Sequence, residues 1–131
     1  MQNRRRQTEA TLLAIERRQR EDDAPRLKHE VRRLAELNLV IDEYQPGSVV
    51  LVARHTRRIV IDRAPAMFEM PCTEDRCRGG GFDLTHDVMR ALRSRQTEFE
   101  GQDTCAGELG AGRCGRILHY VAHAKYSDES P

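Results

Sequence analysis

The chain has 131 residues, of which 38% are hydrophobic and 33% charged, with no tryptophan and a formal net charge of +1. That length suits one domain, or a small domain with an extension, since domains commonly run about 100 to 150 residues; so thin an apolar fraction implies a core that a metal or a second chain would help to hold. No apolar run approaches the roughly 18 residues of a membrane-spanning helix, so a soluble protein is expected.

The charge is unevenly spread. Residues 1–33 hold ten Arg and Lys against six Asp and Glu, whereas residues 72–131 hold eight against ten. The chain opens with Arg4-Arg5-Arg6 and a helical run over 8–21, in which Leu12, Leu13 and Ile15 make a narrow apolar stripe. A lone helix of this polarity is marginal in water, so it should fray or pack against a partner. Asp22-Asp23-Ala24-Pro25 reads as a break, with the proline placed for the first turn of a second helix over 25–37. There Leu27, Val31, Leu34 and Leu37 fall on one face and Asn38 is suited to the left-handed turn that ends it. With little other core for this stripe to cover, a homodimer through the N-terminal helices is expected.

Residues 39–44, 49–54 and 58–62 are rich in Val and Ile and read as an antiparallel β-meander. Pro46-Gly47 supplies the centre of a type II turn, and residues 55–57 the second connection. A short strand over 67–70 then leads to the first cysteine.

All four cysteines lie between Cys72 and Cys114, as a C-x4-C pair (Cys72, Cys77) and a C-x8-C pair (Cys105, Cys114). Two thiolate pairs, each closing a tight loop, can complete the tetrahedral four-sulfur shell that zinc prefers. The longer loop must fold back on itself, for which Gly107, Gly110, Gly112 and Gly115 supply the backbone freedom. Disulfides and unrelated buried thiols are the alternatives. No signal peptide is recognisable, so a reducing, cytoplasmic setting is expected, in which clustered cysteines bind metal more often than they oxidise.

Between the pairs, Gly79-Gly80-Gly81 precedes a helix over 85–94 capped by Thr85, but it lacks the lysine and serine of a phosphate loop and reads better as flexible backbone around a metal. Residues 97–101 read as a strand. Residues 116–126 alternate strictly, with Leu118, Tyr120, Ala122, Ala124 and Tyr126 on one face, which predicts another. On a strand, His119 and His123 stand about 13 Å apart and cannot chelate one ion; they, and His86, read as surface residues.

The stretch over 68–126 resembles the zinc-ribbon and treble-clef class of small zinc-binding proteins, with longer loops and with a helix between the pairs. The resemblance implies metal loops joined by short β-elements, and a ligand role for Cys72, Cys77, Cys105 and Cys114. The expected fold is thus α+β: a basic helical arm (1–24), an amphipathic helix with a β-meander (25–63), a four-cysteine zinc module with one inserted helix (64–126) and a polar tail (127–131).

No Ser-His-Asp or H-E-x-x-H pattern occurs, and a closed four-cysteine shell leaves no position for a reacting water, so an enzyme is not expected. A catalytic reading would need one cysteine as nucleophile and a histidine such as His86 or His119 in the shell. The expected function is a non-catalytic protein interaction or assembly module with structural zinc. The alternative is a small DNA-binding or other nucleic-acid-binding regulator contacting phosphates through Arg4, Arg5, Arg6, Arg17, Arg18, Arg20, Arg32 and Arg33. The lack of aromatic residues in the arm argues against stacking on single strands.

Overall fold

The structure, a computed structural model, describes residues 2–127, with side chains in the first helix described at Glu9 and from Thr11 onward. Of the expected tail at 127–131, the described residues include Ser127 alone. The elements run α1 (Gln2–Asp23), α2 (Leu27–Glu30), β1 (Leu34–Tyr44), β2 (Leu51–Arg58), β3 (Glu69–Met70), β4 (Phe82–Asp83), α3 (Thr85–Arg93), β5 (Glu98–Thr104), β6 (Glu108–Leu109), β7 (Gly112–Arg113) and β8 (Ile117–Tyr126). This is the mixed α+β architecture expected from the pattern of the chain. Four strands form one antiparallel sheet in the order β2-β1-β8-β5, beside the two-stranded pairs β3-β4 and β6-β7.

One face of the sheet makes the core. Leu37, Leu39 and Ile41 of β1, Phe99 of β5, and Leu118, Tyr120, Ala122 and Ala124 of β8 are buried in one cluster with Val88, Met89, Ala91 and Leu92 of α3. Leu27, Val31, Leu34, Phe68, Met70, Phe82, Leu84, Cys105 and Cys114 complete it. The regular alternation along β8 places Leu118, Tyr120, Ala122 and Ala124 inward, as their spacing requires. Gly101 lies opposite Tyr120, and a Cβ there would meet the tyrosine ring at 2.8 Å, so the missing side chain is what lets the ring lie across β5. Phe99 meets the same ring edge-to-face, with centroids 6.4 Å apart.

Several local expectations are corrected. The helix expected over 25–37 is a single turn, Leu27–Glu30, and β1 begins at Leu34. Leu27, Val31, Leu34 and Leu37 are all buried, so the apolar set is real but its geometry differs. A bulge between Leu34 and Glu36 puts an extra residue into β1 opposite β8. That extra residue changes the two-residue spacing of a strand into the three-residue spacing of Leu34 and Leu37, which imitates a helix face. Asn38 accordingly pairs with His123 inside the sheet instead of ending a helix.

The turn expected at 55–57 is the middle of β2, where Ile41 pairs with His55 and Leu39 with Arg57. An edge strand tolerates such polar residues because it is solvated. The strand expected over 58–62 is replaced by one further rung, Ile59 N–H to Leu37 C=O at 3.0 Å, and a turn in which Val60 C=O accepts from Arg63 and Ala64. The third partner of the meander is thus β8. Thr85 does not cap α3: its hydroxyl accepts from the Phe68 N–H at 2.8 Å, while the Asp83 carboxylate accepts from the Thr85 N–H at 3.0 Å.

The expected break after α1 is present. The Arg26 guanidinium donates to the carbonyls of Glu21, Asp22 and Ala24, satisfying acceptors that a helix end leaves open. Two bidentate ion pairs dock α1: Arg20 to Glu69, at 3.1 and 3.0 Å, and Arg78 to Glu9, at 3.4 and 2.9 Å. Glu9 and Arg20 are about three helical turns apart and therefore share a face.

Candidate metal centre

β3 runs directly into Pro71-Cys72, and the last residue of β5, Thr104, hands the chain to Cys105, so two strands fix where the loops start. The longer loop closes as a β6-β7 hairpin, with Gly110 at φ 62° in its turn. Its base is tied by Cys114 N–H to Gly107 C=O at 2.8 Å and by Cys105 N–H to Arg116 C=O at 2.8 Å. The loops are joined by reciprocal backbone bonds between Arg78 and Glu108, at 2.8 and 2.9 Å.

This framework brings the sulfurs of Cys72, Cys77, Cys105 and Cys114 within 4.8 Å of one another. The closest pairs join the two loops: Cys72 to Cys114 at 3.7 Å and Cys77 to Cys105 at 3.6 Å. Both exceed the roughly 2.05 Å of a disulfide, and all four cysteines are free. Four sulfurs held about 2.3 Å from one ion in a tetrahedron would stand about 3.8 Å apart, so the arrangement fits a single tetrahedral metal.

Comparison with protein-family models, curated proteins and solved structures finds no match to this chain.

Packing around the sulfurs is specific. A Cβ on Gly80 would stand 2.3 Å from the Cys105 sulfur and 2.5 Å from that of Cys77, and one on Gly107 would stand 2.5 Å from the Cys77 sulfur and 2.7 Å from Gly80 Cα. Only glycine fits at either place. The N–H groups of Gly81 and Gly107 donate to the Cys105 sulfur at 3.3 and 3.5 Å. Burial raises the Cys105 thiol, but these two donors and the neighbouring sulfurs outweigh it, so its pKa is lowered. Cys72 is pushed up to about 12, chiefly by burial, and Cys77 is raised for the same reason. One thiolate is thus favoured by its own surroundings, whereas Cys72 and Cys77 would have to release their protons on binding a cation.

A partly buried polar brace supports the first loop. The Glu43 Oε1 accepts from the Thr73 hydroxyl at 3.1 Å and from its N–H at 3.4 Å, while Arg116 donates to the same hydroxyl and to Glu74 at 3.3 Å. Glu43 and Arg116 are both buried, and Glu43 Oε2 has no protein partner among the described residues. Sequence reasoning had no signal for Glu43, Thr73 or Arg116. It saw Gly80 and Gly107 as flexible backbone, whereas their role is to leave room for sulfur.

The histidines stay outside this cluster. His86 and His123 are exposed, and His119 Nε2 lies 3.3 Å from the Glu100 carboxylate on the opposite face of the sheet from Tyr120. The side chains of Arg4, Arg5 and Arg6 lie outside the described residues; Arg17, Arg18 and Arg20 end α1; Arg32 and Arg33 sit between α2 and β1. Arg20 is engaged by Glu69. Among the described residues, no helix is long and apolar enough to cross a membrane.

Proposed function

We propose that the chain is a non-catalytic interaction and assembly module, stabilised by one structural zinc and self-associating through α1. The observation that carries this reading is the closed four-sulfur cluster, which uses all four tetrahedral positions for protein ligands and leaves none for substrate. The surroundings support zinc: small backbone groups, N–H donors to sulfur and a braced loop.

Leu27, Val31 and Leu34 are buried within the chain and are not available to a partner. The apolar surface left on the helices is on α1, where Leu12 and Ile15 are 53% and 56% exposed beside Leu13. Such a stripe is what a short symmetric helical contact would cover, giving a homodimer.

Metal analysis of purified, reduced protein together with its native mass tests both parts. One zinc per chain and a dimer that Leu12→Asp with Ile15→Asp converts to monomer are expected. Metal-free folded protein, or an intensely coloured iron centre, would overturn the zinc assignment, and a wild-type monomer at high concentration would overturn the α1 contact.

A second reading, nucleic-acid binding by the arm, is supported by Arg17, Arg18, Arg32 and Arg33, for which no acidic partner stands among the described residues. Each phosphate neutralised contributes about −0.9 to the slope of log K against log salt. Deleting residues 1–24 should flatten that slope if the arm binds a duplex. On the assembly reading, binding is weak, arm-dependent and gone near physiological salt.

A further inference from the structure

The two free edges of the sheet carry opposite charge. β2 holds Arg54, His55, Arg57 and Arg58 and no acid; β5 holds Glu98, Glu100 and Asp103 and no base. Each strand ends the sheet, β2 pairing only with β1 and β5 only with β8. Apart from the Thr104 N–H, which donates to the Asp103 carboxylate at 2.9 Å, one row of backbone donors and acceptors on each is therefore open to a further strand among the described residues. Apart from Ala53, every residue of β2 is exposed, and an apolar run enters it at Val49, Val50, Leu51 and Val52, with Val49 94% exposed.

We propose that β2 of one copy pairs with β5 of a second copy, so that the sheet continues from molecule to molecule. This deepens the assembly reading but uses a surface other than α1. Because the sheet is antiparallel throughout, β2 and β5 run in opposite directions. Laying one beside the other adds another antiparallel pair and preserves the alternation. The faces also agree. Through the register of Arg54 with Asp42, Asp42 with His119 and His119 with Gln102, the side chains of Arg54 and Arg58 share a face with those of Glu98 and Glu100. Arg54 is held by Asp42 of its own chain, so joining the edges sets Arg58 on one continuous surface with Glu98 and Glu100.

The alternatives are disfavoured by the same charges. Pairing β2 with β2 sets arginine against arginine, and pairing β5 with β5 sets acid against acid; like charges directly opposite destabilise a ladder. An arginine-rich edge would in isolation block strand addition. Here the same chain carries the edge that accepts it. Such an interface is head-to-tail, so it grows as an open series or closes as a ring, and it does not stop at two copies as a symmetric contact does.

The test is sedimentation of the 131-residue, zinc-loaded chain at about 0.01 M and about 1 M salt, where the screening length falls from about 30 to about 3 Å. A concentration-dependent series beyond the dimer is expected at low salt, dispersing at high salt. Thr56→Glu with Arg58→Glu, on the face that Glu98 and Glu100 share, and separately Glu98→Arg with Glu100→Arg, should each weaken association at least tenfold. An equimolar mixture of the two variants, or one chain carrying all four substitutions, should recover it. Zinc content shows that each variant remains folded.

The proposal is overturned if the wild type stays a monomer or a fixed dimer at low salt, if either variant associates like the wild type, or if the four-fold variant stays dispersed. Loss in the β2 variant alone would also overturn it, and would direct β2 to an acidic ligand such as a nucleic acid. Leu12→Asp with Ile15→Asp separates the two contacts: failure of the α1 dimer leaves the charge-swap result standing, and the reverse holds equally.

Discussion

At the scale of single residues, the cluster is held by two positions that lack a side chain. Gly80→Ala would drive a methyl group into the Cys77 and Cys105 sulfurs, and supporting groups around a metal typically change its affinity by about 10- to 100-fold. A loss of that size in competition with a chelator is expected, whereas Gly112→Ala, where a Cβ meets nothing within 4 Å, should leave affinity unchanged. Equal affinities for the two variants would show that the sulfurs have room to move. Farther from the metal, Arg54 donates to Asp42 at 2.6 and 2.9 Å, and this hydrogen bonding, against the opposing effect of burial, holds the Asp42 carboxyl below its usual range. A carboxyl lowered in the folded state contributes stability that is fully present above its unfolded value, about 3.9, and is lost as pH falls through the folded value. Melting temperature should therefore fall more steeply on acidification below about pH 4 in the wild type than in Asp42→Asn. Parallel profiles would mean that the pair contributes nothing to acid stability.

At the scale of elements, α1 is docked by two exposed ion pairs, Arg20 with Glu69 and Arg78 with Glu9, which salt screens. Amide exchange in α1 should accelerate several-fold between low and about 1 M salt, and Glu69→Ala should give the same acceleration at low salt, with β1 and β8 unchanged. An α1 whose protection ignores both would have to be held by its apolar face. The elements also show which parts of the chain were legible. β8 was readable because its alternation is unbroken from Leu118 to Ala124 and the opposite face is open to water. β1 was not, because one bulge gives Leu34 and Leu37 a helical spacing, and a period of three is compatible with either geometry until a partner strand sets the register. The clustering of the four cysteines was legible from pairing and glycine content alone. The brace of Glu43, Thr73 and Arg116 was not, because its meaning lies in a contact between residues far apart in sequence.

For the whole molecule, the cysteine loops are built into the sheet, so a metal held there would be coupled to it. The first cysteine loop follows β3, the second leads straight into β8, and β8 is the inner strand between β1 and β5. Because such metal-binding free energy is folding free energy, removing zinc should not merely loosen the cysteine loops. Chelation, or Cys72→Ser, should unfold the sheet and the loops in a single transition seen equally by far-ultraviolet circular dichroism and by thiol reactivity; a sheet that persists while all four thiols react would show that the two are independent. The place of β8 also bears on how the chain comes into being. Since Leu39 meets Ala122, the central contact of the sheet joins early and late parts of this sequence. A nascent chain leaving the ribosome displays β1 and β2 first, as a hairpin whose Leu37, Leu39 and Ile41 have no cover, and a lone two-stranded hairpin is marginal in water. The sheet is therefore incomplete without residues 117–126, and until they emerge Leu37, Leu39 and Ile41 leave an apolar surface that chaperones and proteases can reach.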